Sequence, residues 1–485
     1  MPGPTEGTGP TEGTGPTEGT GPTEQGPAID LLVTNARVVT MDASRRIVDR
    51  GAVAVDGDAV LEVGGSDRLA ARYHARRVLD AGGGLVTPGF VNAHQHVTGG
   101  PLTWSCIPDN LVPGSSIFEW SIPLHGAETA ADEEISATMT AVECLRAGTT
   151  TVIEPGTMSH ADEVANALRT AGIRAGIGVW GWDVEGGPLA GPAPEVLDRL
   201  AGVLDAHPPG GLVEGWVTLV GHSLASDELL AGAAALARRR GASMTMHLSP
   251  TSSDPEVYLE RHGRRPVVHL EALGVLGRHL LLGHGVWLDD AEVDAVLRTG
   301  TAIAYCPWAY LRLGQGVTHE GRHAEIVRRG GRVALGCDAV NAGDTVDVLR
   351  TAALAAGLAK DQRTDPTWFG AHEALEMATI GGAEAVGMAD RIGSIEAGKK
   401  ADLVVFEHER VQWASPADPA LALVWATDGR HVRHVVVDGR LVVEDGRCRT
   451  VDEAELRREA AGVSAALLER AGLQAPVRWP VDRQA

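Results

Sequence analysis

Two histidines separated by a single residue, His94 and His96, follow directly on an apolar run that begins at Pro88. If this run is a β-strand, its side chains alternate between two faces, so both imidazoles point the same way. Imidazole nitrogens that converge at the end of a buried strand are a common start of a transition-metal site. Taken alone, the same spacing also fits two ordinary surface histidines.

Three more polar residues end short apolar runs further along the chain: His247, His284 and Asp338. Three imidazoles and a carboxylate, from His94, His96, His247 and Asp338, form a donor set suited to Zn²⁺, Fe²⁺, Co²⁺ or Mn²⁺. A hydrogen-bonded core histidine is the alternative for any one of them. It explains the whole set poorly, so the sequence predicts a metal centre.

The elements that position these residues alternate between apolar runs and helical stretches over residues 88–394, which predicts βα units around a parallel sheet. Eight candidate strands end near His94, Glu154, Trp180, His222, His247, His284, Cys306 and Asp338. The predicted helices include Ala130–Ala147, Ala161–Ala171, Ser226–Arg240, Leu288–Thr299 and Arg322–Arg329. This α/β pattern fits a (β/α)8 TIM barrel, whose chemistry sits at the C-terminal ends of its strands.

The regions on either side of the barrel are rich in β-forming runs. Residues 28–87 and 395–450 are predicted to combine into one small β-sandwich domain, and Asp56-Gly57-Asp58 is a hairpin signal within it. A Pro-Thr-Glu-Gly-Thr-Gly repeat predicts a disordered tail over residues 1–27. Residues 451–485 are predicted to form a helical C-terminal tail.

Charge and composition restrict the partners. The 485-residue chain carries 42 basic and 64 acidic side chains, a formal charge of -22, which repels nucleic acid and anionic membranes. It contains no apolar segment long enough to span a bilayer and no secretory signal. Its five cysteines form no CxxC pair. We therefore expect a cytoplasmic protein that binds neither nucleic acid nor membrane.

The chain resembles the amidohydrolase superfamily, in the branch of cytosine deaminases, triazine hydrolases and S-adenosylhomocysteine deaminases. The resemblance spans Ile29 to Gly446 and is carried by residues 88–96, 146–151, 284–289, 306–307, 311–314 and 393–405. The overall pattern is also similar to the thiocarbamate and phenylurea hydrolases of this branch. The family implies a homodimer, a small-molecule substrate and one divalent metal, with zinc preferred over iron, cobalt or manganese.

The resemblance also implies roles for the candidate residues. His94, His96, His247 and Asp338 would hold the metal, and strand four contains no lysine of the kind that bridges two metals in binuclear relatives. Asp338 would accept a proton from the attacking water and return it to the leaving nitrogen. His284 would donate a hydrogen bond to the oxygen that becomes anionic.

His222 matches a position that contacts substrate in relatives, and a structural histidine is an almost equal alternative.

One departure from the branch concerns the acid that protonates a substrate ring. Deaminases of this branch usually carry His-x-x-Glu at strand five, whereas this chain has proline at 250, three residues after His247. Amides, ureas and carbamates need no ring protonation. The sequence therefore favours hydrolysis of an acyclic C–N bond.

Two alternatives remain open: a deaminase of a heterocycle, and a non-catalytic binding protein on the same barrel. Glu154 is predicted to replace the missing acid, and a structural carboxylate bonded to a neighbouring loop is about equally consistent with its position.

The aromatic residues suggest a partly apolar substrate. The chain has 11 tryptophans against 4 tyrosines and 4 phenylalanines, and several follow predicted strands. We predict that Trp104, Trp308, Tyr310 and Arg312 contact the substrate. Packing of the barrel rim is the alternative for the tryptophans, and an internal ion pair is the alternative for Arg312.

Overall fold

The computed structural model describes residues 26–112, 114–184, 186–408, 413 and 418–480. The strands are β1 Ala28–Val39, β2 Ile47–Asp56, β3 Ala59–Gly65, β4 His74–Asp80, β5 Leu85–Pro88, β6 Phe90–Asn92, β7 Thr149–Ile153, β8 Arg174–Ile177, β9 Val213–Gly215, β10 Val217–Gly221, β11 Met244–Leu248, β12 Leu280–His284, β13 Ala302–Tyr305, β14 Arg332–Leu335, β15 Leu403–Phe406, β16 Val432–Val437, β17 Arg440–Glu444 and β18 Arg447–Cys448.

The helices are α1 Ser66–Arg72, α2 Ile122–Ala127, α3 Ala130–Arg146, α4 Ala161–Ala171, α5 Ala193–Ala206, α6 Asp227–Arg240, α7 Ser253–His262, α8 Pro266–Ala272, α9 Asp290–Thr299, α10 Pro307–Arg312, α11 Val317–Glu320, α12 His323–Arg328, α13 Val340–Gly343, α14 Val348–Arg363, α15 Ala371–Ala378, α16 Ile380–Ala385, α17 Pro419–Ala426 and α18 Glu453–Arg470. A π-helical segment, Ser116–Ser121, lies in the long connection between β6 and α3.

Strands β6 to β14 form a closed parallel barrel. They hydrogen-bond in chain order as β6–β9 and β10–β14. β9 and β10 are two halves of one strand, and between them the Trp216 N–H still donates to Ile177 O of β8 at 2.7 Å. The Ala93 N–H donates to Leu335 O at 2.8 Å, which joins the first strand to the last. The predicted eight-stranded TIM barrel is therefore confirmed.

The strands from both chain ends build one nine-stranded sheet beside the barrel. Its order is β18-β17-β16-β15-β5-β1-β2-β3, with β4 paired to β1. The predicted hairpin joins β2 to β3, where Asp56 pairs with Ala59. The run predicted over 432–441 is two strands, because Asp438 and Gly439 both adopt positive φ (51° and 76°) and turn the chain. The shared sheet confirms the composite β domain.

A buried ion pair connects this sheet to the barrel. The Arg174 guanidinium, on β8, donates from Nε to Asp402 Oδ2 at 3.0 Å and from Nη2 to Asp438 Oδ1 at 2.9 Å. Arg174 is 1% exposed, so its charge is compensated by these two carboxylates rather than by water. The pair fixes how the β domain sits on the barrel.

The helices agree closely with the sequence predictions, since α3, α4, α6, α9 and α12 begin and end within two residues of the expected bounds. The predicted C-terminal helical tail contains α18, whose Leu467 is fully buried.

The five cysteines form no disulfide. Within the described ranges, no helix is both long and apolar enough to cross a membrane. The predicted disorder of residues 1–27 concerns a segment of which the structure describes only the last two residues.

Candidate metal centre

The first two histidines lie in a loop rather than on a strand, because β6 ends at Asn92. Side-chain hydrogen bonds shape this loop: Asn92 Nδ2 donates to Gln95 Oε1 at 2.9 Å, and Gln95 Nε2 donates to the Asp338 carbonyl at 2.7 Å. Gln95 thus links the end of the first strand to the end of the last one. His94 and His96 still converge, with ring centroids 5.3 Å apart and planes at 81°.

Hydrogen bonds fix which nitrogen of two histidines is free. The Thr157 hydroxyl donates to Glu154 Oε1 at 2.8 Å, so it accepts the proton of His96 Nδ1, which lies 2.7 Å away. His247 Nδ1 donates to the Val220 carbonyl at 2.5 Å. Both histidines therefore present an unprotonated Nε2, and these two atoms are 3.3 Å apart. Two lone pairs facing each other at this distance require a cation between them.

His94 and Asp338 complete the donor set. His94 is fully buried and neither of its ring nitrogens has a hydrogen-bond partner, an arrangement that costs free energy unless a ligand is bound there. Asp338 Oδ1 lies 3.3 Å from His96 Nε2 and 3.9 Å from His94 Nε2. His284 Nδ1 is 3.9 Å from Asp338 Oδ2. The residues present therefore fit one divalent transition-metal ion.

Burial sets the charges of these groups. It lowers the pKa of His94 and of His247 well below the ordinary value, and the neighbouring histidines lower both further. Burial alone would raise the pKa of Asp338, but the neighbouring His96, His284 and His94 imidazoles lower it below its usual range. The centre thus offers neutral imidazoles and a carboxylate, which are the metal-binding forms.

Two of these residues adopt a backbone conformation that L residues rarely use. His284 has φ +80° and Asp338 has φ +66°. The surrounding structure holds both: His323 Nε2 donates to the His284 carbonyl at 2.6 Å, and the Asp338 N–H donates to the His94 carbonyl at 2.8 Å. Strain of this kind is retained where it aims a functional side chain.

The metal residues lie at one side of a cavity of about 630 Å³. Five predicted site residues line it: His96, His222, His247, His284 and Asp338. Further residues lining it include Val112, Ile117, Phe118, Glu119, Ile122, His125, Thr157, Trp180, Pro250, Asp254, Leu313 and Gln315. Its size suits a small-molecule substrate.

Glu154 does not reach the cavity. It is fully buried, and its carboxylate accepts hydrogen bonds from the Gly156 and Thr157 N–H groups as well as from the Thr157 hydroxyl. Burial raises its pKa to about 7 despite the nearby His96 and these bonds. This position fits the alternative in which Glu154 is a structural carboxylate bonded to a neighbouring loop. Glu154 bonds Thr157, and Thr157 in turn orients His96.

Tyr310 and Arg312 were predicted to contact substrate, but they do not line the cavity. The Tyr310 hydroxyl accepts from the Cys306 N–H at 2.9 Å in the barrel core. Arg312 donates to the Ile107 carbonyl at 2.9 Å and pairs with Asp344 at 3.4 Å. A backbone N–H thus bonds the Tyr310 hydroxyl, and a backbone carbonyl and an internal acid bind the Arg312 guanidinium.

Trp104 and Trp308 are also absent from the cavity lining. Trp104 is 36% exposed, and Trp308 packs under the Arg350 guanidinium, 5.0 Å from its ring centroid. Trp180 is the tryptophan that lines the cavity, stacked on Trp182 at 5.2 Å. Contact of Trp104 and Trp308 with the substrate stays a prediction, and neither residue lies in the described lining.

The sequence did not identify His125, Thr157 or Glu119. His125 is buried, Thr98 Oγ1 lies 3.2 Å from its Nδ1, and burial lowers its pKa to about 3. It belongs to α2, in the long connection between β6 and α3, where no periodicity ties a residue to the barrel. Thr157 could have been found as a hydroxyl three residues beyond a buried strand-end acid.

The amidohydrolase family model matches residues 85–442 of this chain. A 5-methylthioadenosine/S-adenosylhomocysteine deaminase of Syntrophobacter fumaroxidans is 34% identical over 88% of this chain and 96% of its own length. A 5'-deoxyadenosine deaminase of Methanosarcina mazei is 28% identical over 91% of this chain and 99% of its own.

Two solved structures have a similar fold. An adenosine deaminase from Xanthomonas campestris with bound zinc superposes with a TM-score of 0.86 at 25% identity, covering 92% of this chain and 100% of the other. An atrazine chlorohydrolase from Arthrobacter aurescens shares the fold, with a TM-score of 0.81 at 24% identity over 90% of this chain and 100% of the other. These matches identify a hydrolase acting on carbon–nitrogen bonds other than peptide bonds. The chain belongs to the amidohydrolase family.

Proposed function

We propose that this protein hydrolyses an acyclic C–N bond, of amide, urea or carbamate type, in a small and partly apolar molecule. The observation that carries the proposal is the convergence of free ring nitrogens from His94, His96 and His247 beside Asp338, at the wall of a cavity. We propose zinc as the metal, with iron, cobalt or manganese as alternatives.

A bound divalent metal supplies Lewis acidity, which lets water ionise near neutral pH and polarises a carbonyl oxygen. Side chains of the protein accept and donate the protons. Asp338 is ionised and lines the cavity, so it can accept a proton from attacking water and deliver it to the leaving nitrogen. His284 Nδ1 is buried without a partner, so the ring is available to bind the oxygen that gains charge.

The acyclic class is favoured because the described lining holds no buried acid besides Asp338, which already serves the water and the leaving nitrogen. Pro250 lines the cavity three residues after His247 and has no proton to exchange. Glu119 accepts from the Ser115 hydroxyl at 2.8 Å, and Asp254 accepts from the Thr251 N–H at 2.8 Å. Neither carboxylate resembles a desolvated acid poised for proton transfer.

Deamination of a purine nucleoside is the second candidate, and the deaminase relatives favour it. Such an enzyme would need another donor for the ring nitrogen. Glu154 cannot contact a substrate from its position behind Thr157, so this candidate requires His222 or an ordered water.

The test is turnover by metal-loaded protein with a panel of aryl amides, ureas, carbamates, 5-methylthioadenosine and S-adenosylhomocysteine. We expect amine release from the acyclic compounds and about one metal per chain. His247→Ala should lose both, whereas His372→Ala, at an exposed position of α15, should lose neither. Ammonia released from the nucleosides alone would contradict the acyclic reading and support the second candidate.

We further propose that the protein acts in the cytoplasm as a homodimer, without nucleic-acid or membrane partners. The formal charge of -22 supports the lack of polyanionic partners. Light scattering should give twice the chain mass of 50.7 kDa, and a monomer would contradict the dimer.

A further inference from the structure

Away from the metal residues, the formally charged side chains that line the cavity are all negative. Among the described residues that line it there is no lysine and no arginine. Apart from Asp338, its formally charged side chains are Glu119 and Asp254. Arg261 donates to the carbonyl of Ser223 at 3.3 Å, but its side chain does not line the cavity. An anionic substituent directed away from the metal would therefore meet carboxylates and no counter-ion.

Exposed apolar side chains gather on another part of the lining. Val112 is 71% exposed, Phe118 53% and Ile117 38%, and all three line the cavity together with Ile122 and Leu313. We call these five residues the apolar wall. Large apolar side chains left this open to solvent on neighbouring positions mark a surface that a ligand or partner covers.

The buried polar atoms in the lining that lack a partner belong to groups with no fixed charge. His222 Nε2 and Gln315 Oε1 are both buried without a hydrogen-bond partner, and both residues line the cavity. An amide, urea or carbamate offers an N–H donor and a carbonyl acceptor, which can satisfy such atoms without bringing in a charge.

We propose that the site selects an uncharged substrate whose apolar substituent lies on the apolar wall, and that Glu119 and Asp254 exclude substrates carrying a carboxylate or phosphate there. The inference rests on the proposed function and specifies its substrate class. Apolar contact supplies the affinity, whereas the two carboxylates act by repulsion, so specificity comes from both.

The test uses two matched ureas, N-(4-methylphenyl)urea and N-(4-carboxyphenyl)urea, with the metal-loaded enzyme. We expect kcat/KM to be about 100-fold higher for the neutral compound, because the carboxylate of the other would meet Glu119 or Asp254 without a counter-ion. Phe118→Ala should lower kcat/KM for the neutral urea about tenfold, mainly through KM.

Charge reversal gives the sharpest prediction. Glu119→Lys should reduce the preference for the neutral urea to about tenfold or less, and Glu119→Gln should give an intermediate preference. Glu459→Lys makes the same charge change on the exposed side of α18 and should leave the preference unaltered. A wild-type ratio within about threefold of one, or an equal response to Glu119→Lys and Glu459→Lys, would overturn the proposal.

Equilibrium binding separates this proposal from the proposed function. The probes are the two matching arylacetones, 4-methylphenylacetone and 4-carboxyphenylacetone, in which carbon replaces both nitrogens of the urea, so they contain no C–N bond to hydrolyse. Tighter binding of the neutral ketone without turnover of either urea would support the charge selection and refute the acyclic hydrolysis. Turnover of both ureas at equal rates, with equal ketone binding, would support the acyclic hydrolysis and refute the charge selection.

Discussion

Thr157 decides how His96 can serve the metal. Its hydroxyl accepts from His96 Nδ1 and donates to Glu154, which in turn is held by the Gly156 N–H. The chain of hydrogen bonds leaves the lone pair of His96 on Nε2, directed at His247. Partners of this kind orient a ligand and tune its basicity without touching the metal.

Thr157→Val should therefore weaken metal binding by about 10- to 100-fold, because the methyl group cannot accept the Nδ1 proton. Metal affinity measured by competition with a chromogenic chelator checks this. Thr157→Ser keeps the hydroxyl and should bind metal nearly as tightly as the wild type. Equal affinities for the valine and serine variants would show that the hydrogen bond is not needed.

The elements that carry the site leave little room around it. Gly283, on β12, faces His94 across the barrel, and a methyl group there would lie 2.8 Å from His94 Cε1 and 3.0 Å from Nδ1. Contacts this short force the imidazole to move. The glycine is thus required by the close approach of the His94 ring rather than by its own backbone.

Gly283→Ala should displace His94 and reduce the metal content at least tenfold while the barrel still folds. Gly202→Ala is the matched control, since its added methyl group meets nothing within 4 Å on α5. Metal analysis after gel filtration, with circular dichroism for folding, checks both variants. Full metal content in folded Gly283→Ala would show that His94 can shift without loss of the ligand.

Element positions were largely predictable because hydrophobic periodicity and turn residues act over short distances. The barrel, its metal residues and the Asp56–Asp58 hairpin all follow from such local patterns. The loop of His94 and His96 did not, because Gln95 shapes it by bonding to Asp338, which is 243 residues away in sequence. Arg312 and His125 lie in short helices of the long connections, bond to residues 205 and 27 positions away in sequence, and carry no local signal.

At the scale of the whole molecule, a buried ion pair connects the barrel to the nine-stranded sheet. Arg174 comes from the barrel, while Asp402 and Asp438 come from the C-terminal part of the sheet, 228 and 264 residues further along the chain. Removing one partner leaves uncompensated charge in a buried place, which is far more costly than losing a surface pair.

Arg174→Met should lower the free energy of unfolding by about 3–5 kcal/mol, because it leaves the buried Asp402 carboxylate without its counter-ion, whereas Asp438 keeps Lys400 at 3.5 Å. Urea denaturation checks this. Arg240→Met removes an exposed pair with Asp205 and should change the stability little. A similar midpoint for both variants would mean that water reaches Asp402 and Asp438 once the guanidinium is absent.

The pH dependence of stability has a measurable contribution from Glu128. This carboxyl accepts from the Gly99 N–H at 2.8 Å and from the Ser136 hydroxyl at 2.8 Å, and burial raises its pKa to about 8 from the ordinary 4.5. A carboxyl with a raised pKa holds its proton more tightly in the folded protein than in the unfolded chain. Its contribution to stability is therefore complete below pH 4.5 and is lost as the pH rises to about 8.

Glu128→Gln removes this ionisation and keeps an oxygen for the Gly99 N–H. Between pH 5 and pH 9, we expect the wild type to lose on the order of a few kcal/mol of unfolding free energy relative to the variant. Urea denaturation at several pH values gives this difference, and titrations common to both proteins cancel in it. A constant difference across the range would mean that Glu128 ionises at its ordinary pKa, and that water or rearrangement of the loop at Gly99 compensates its burial.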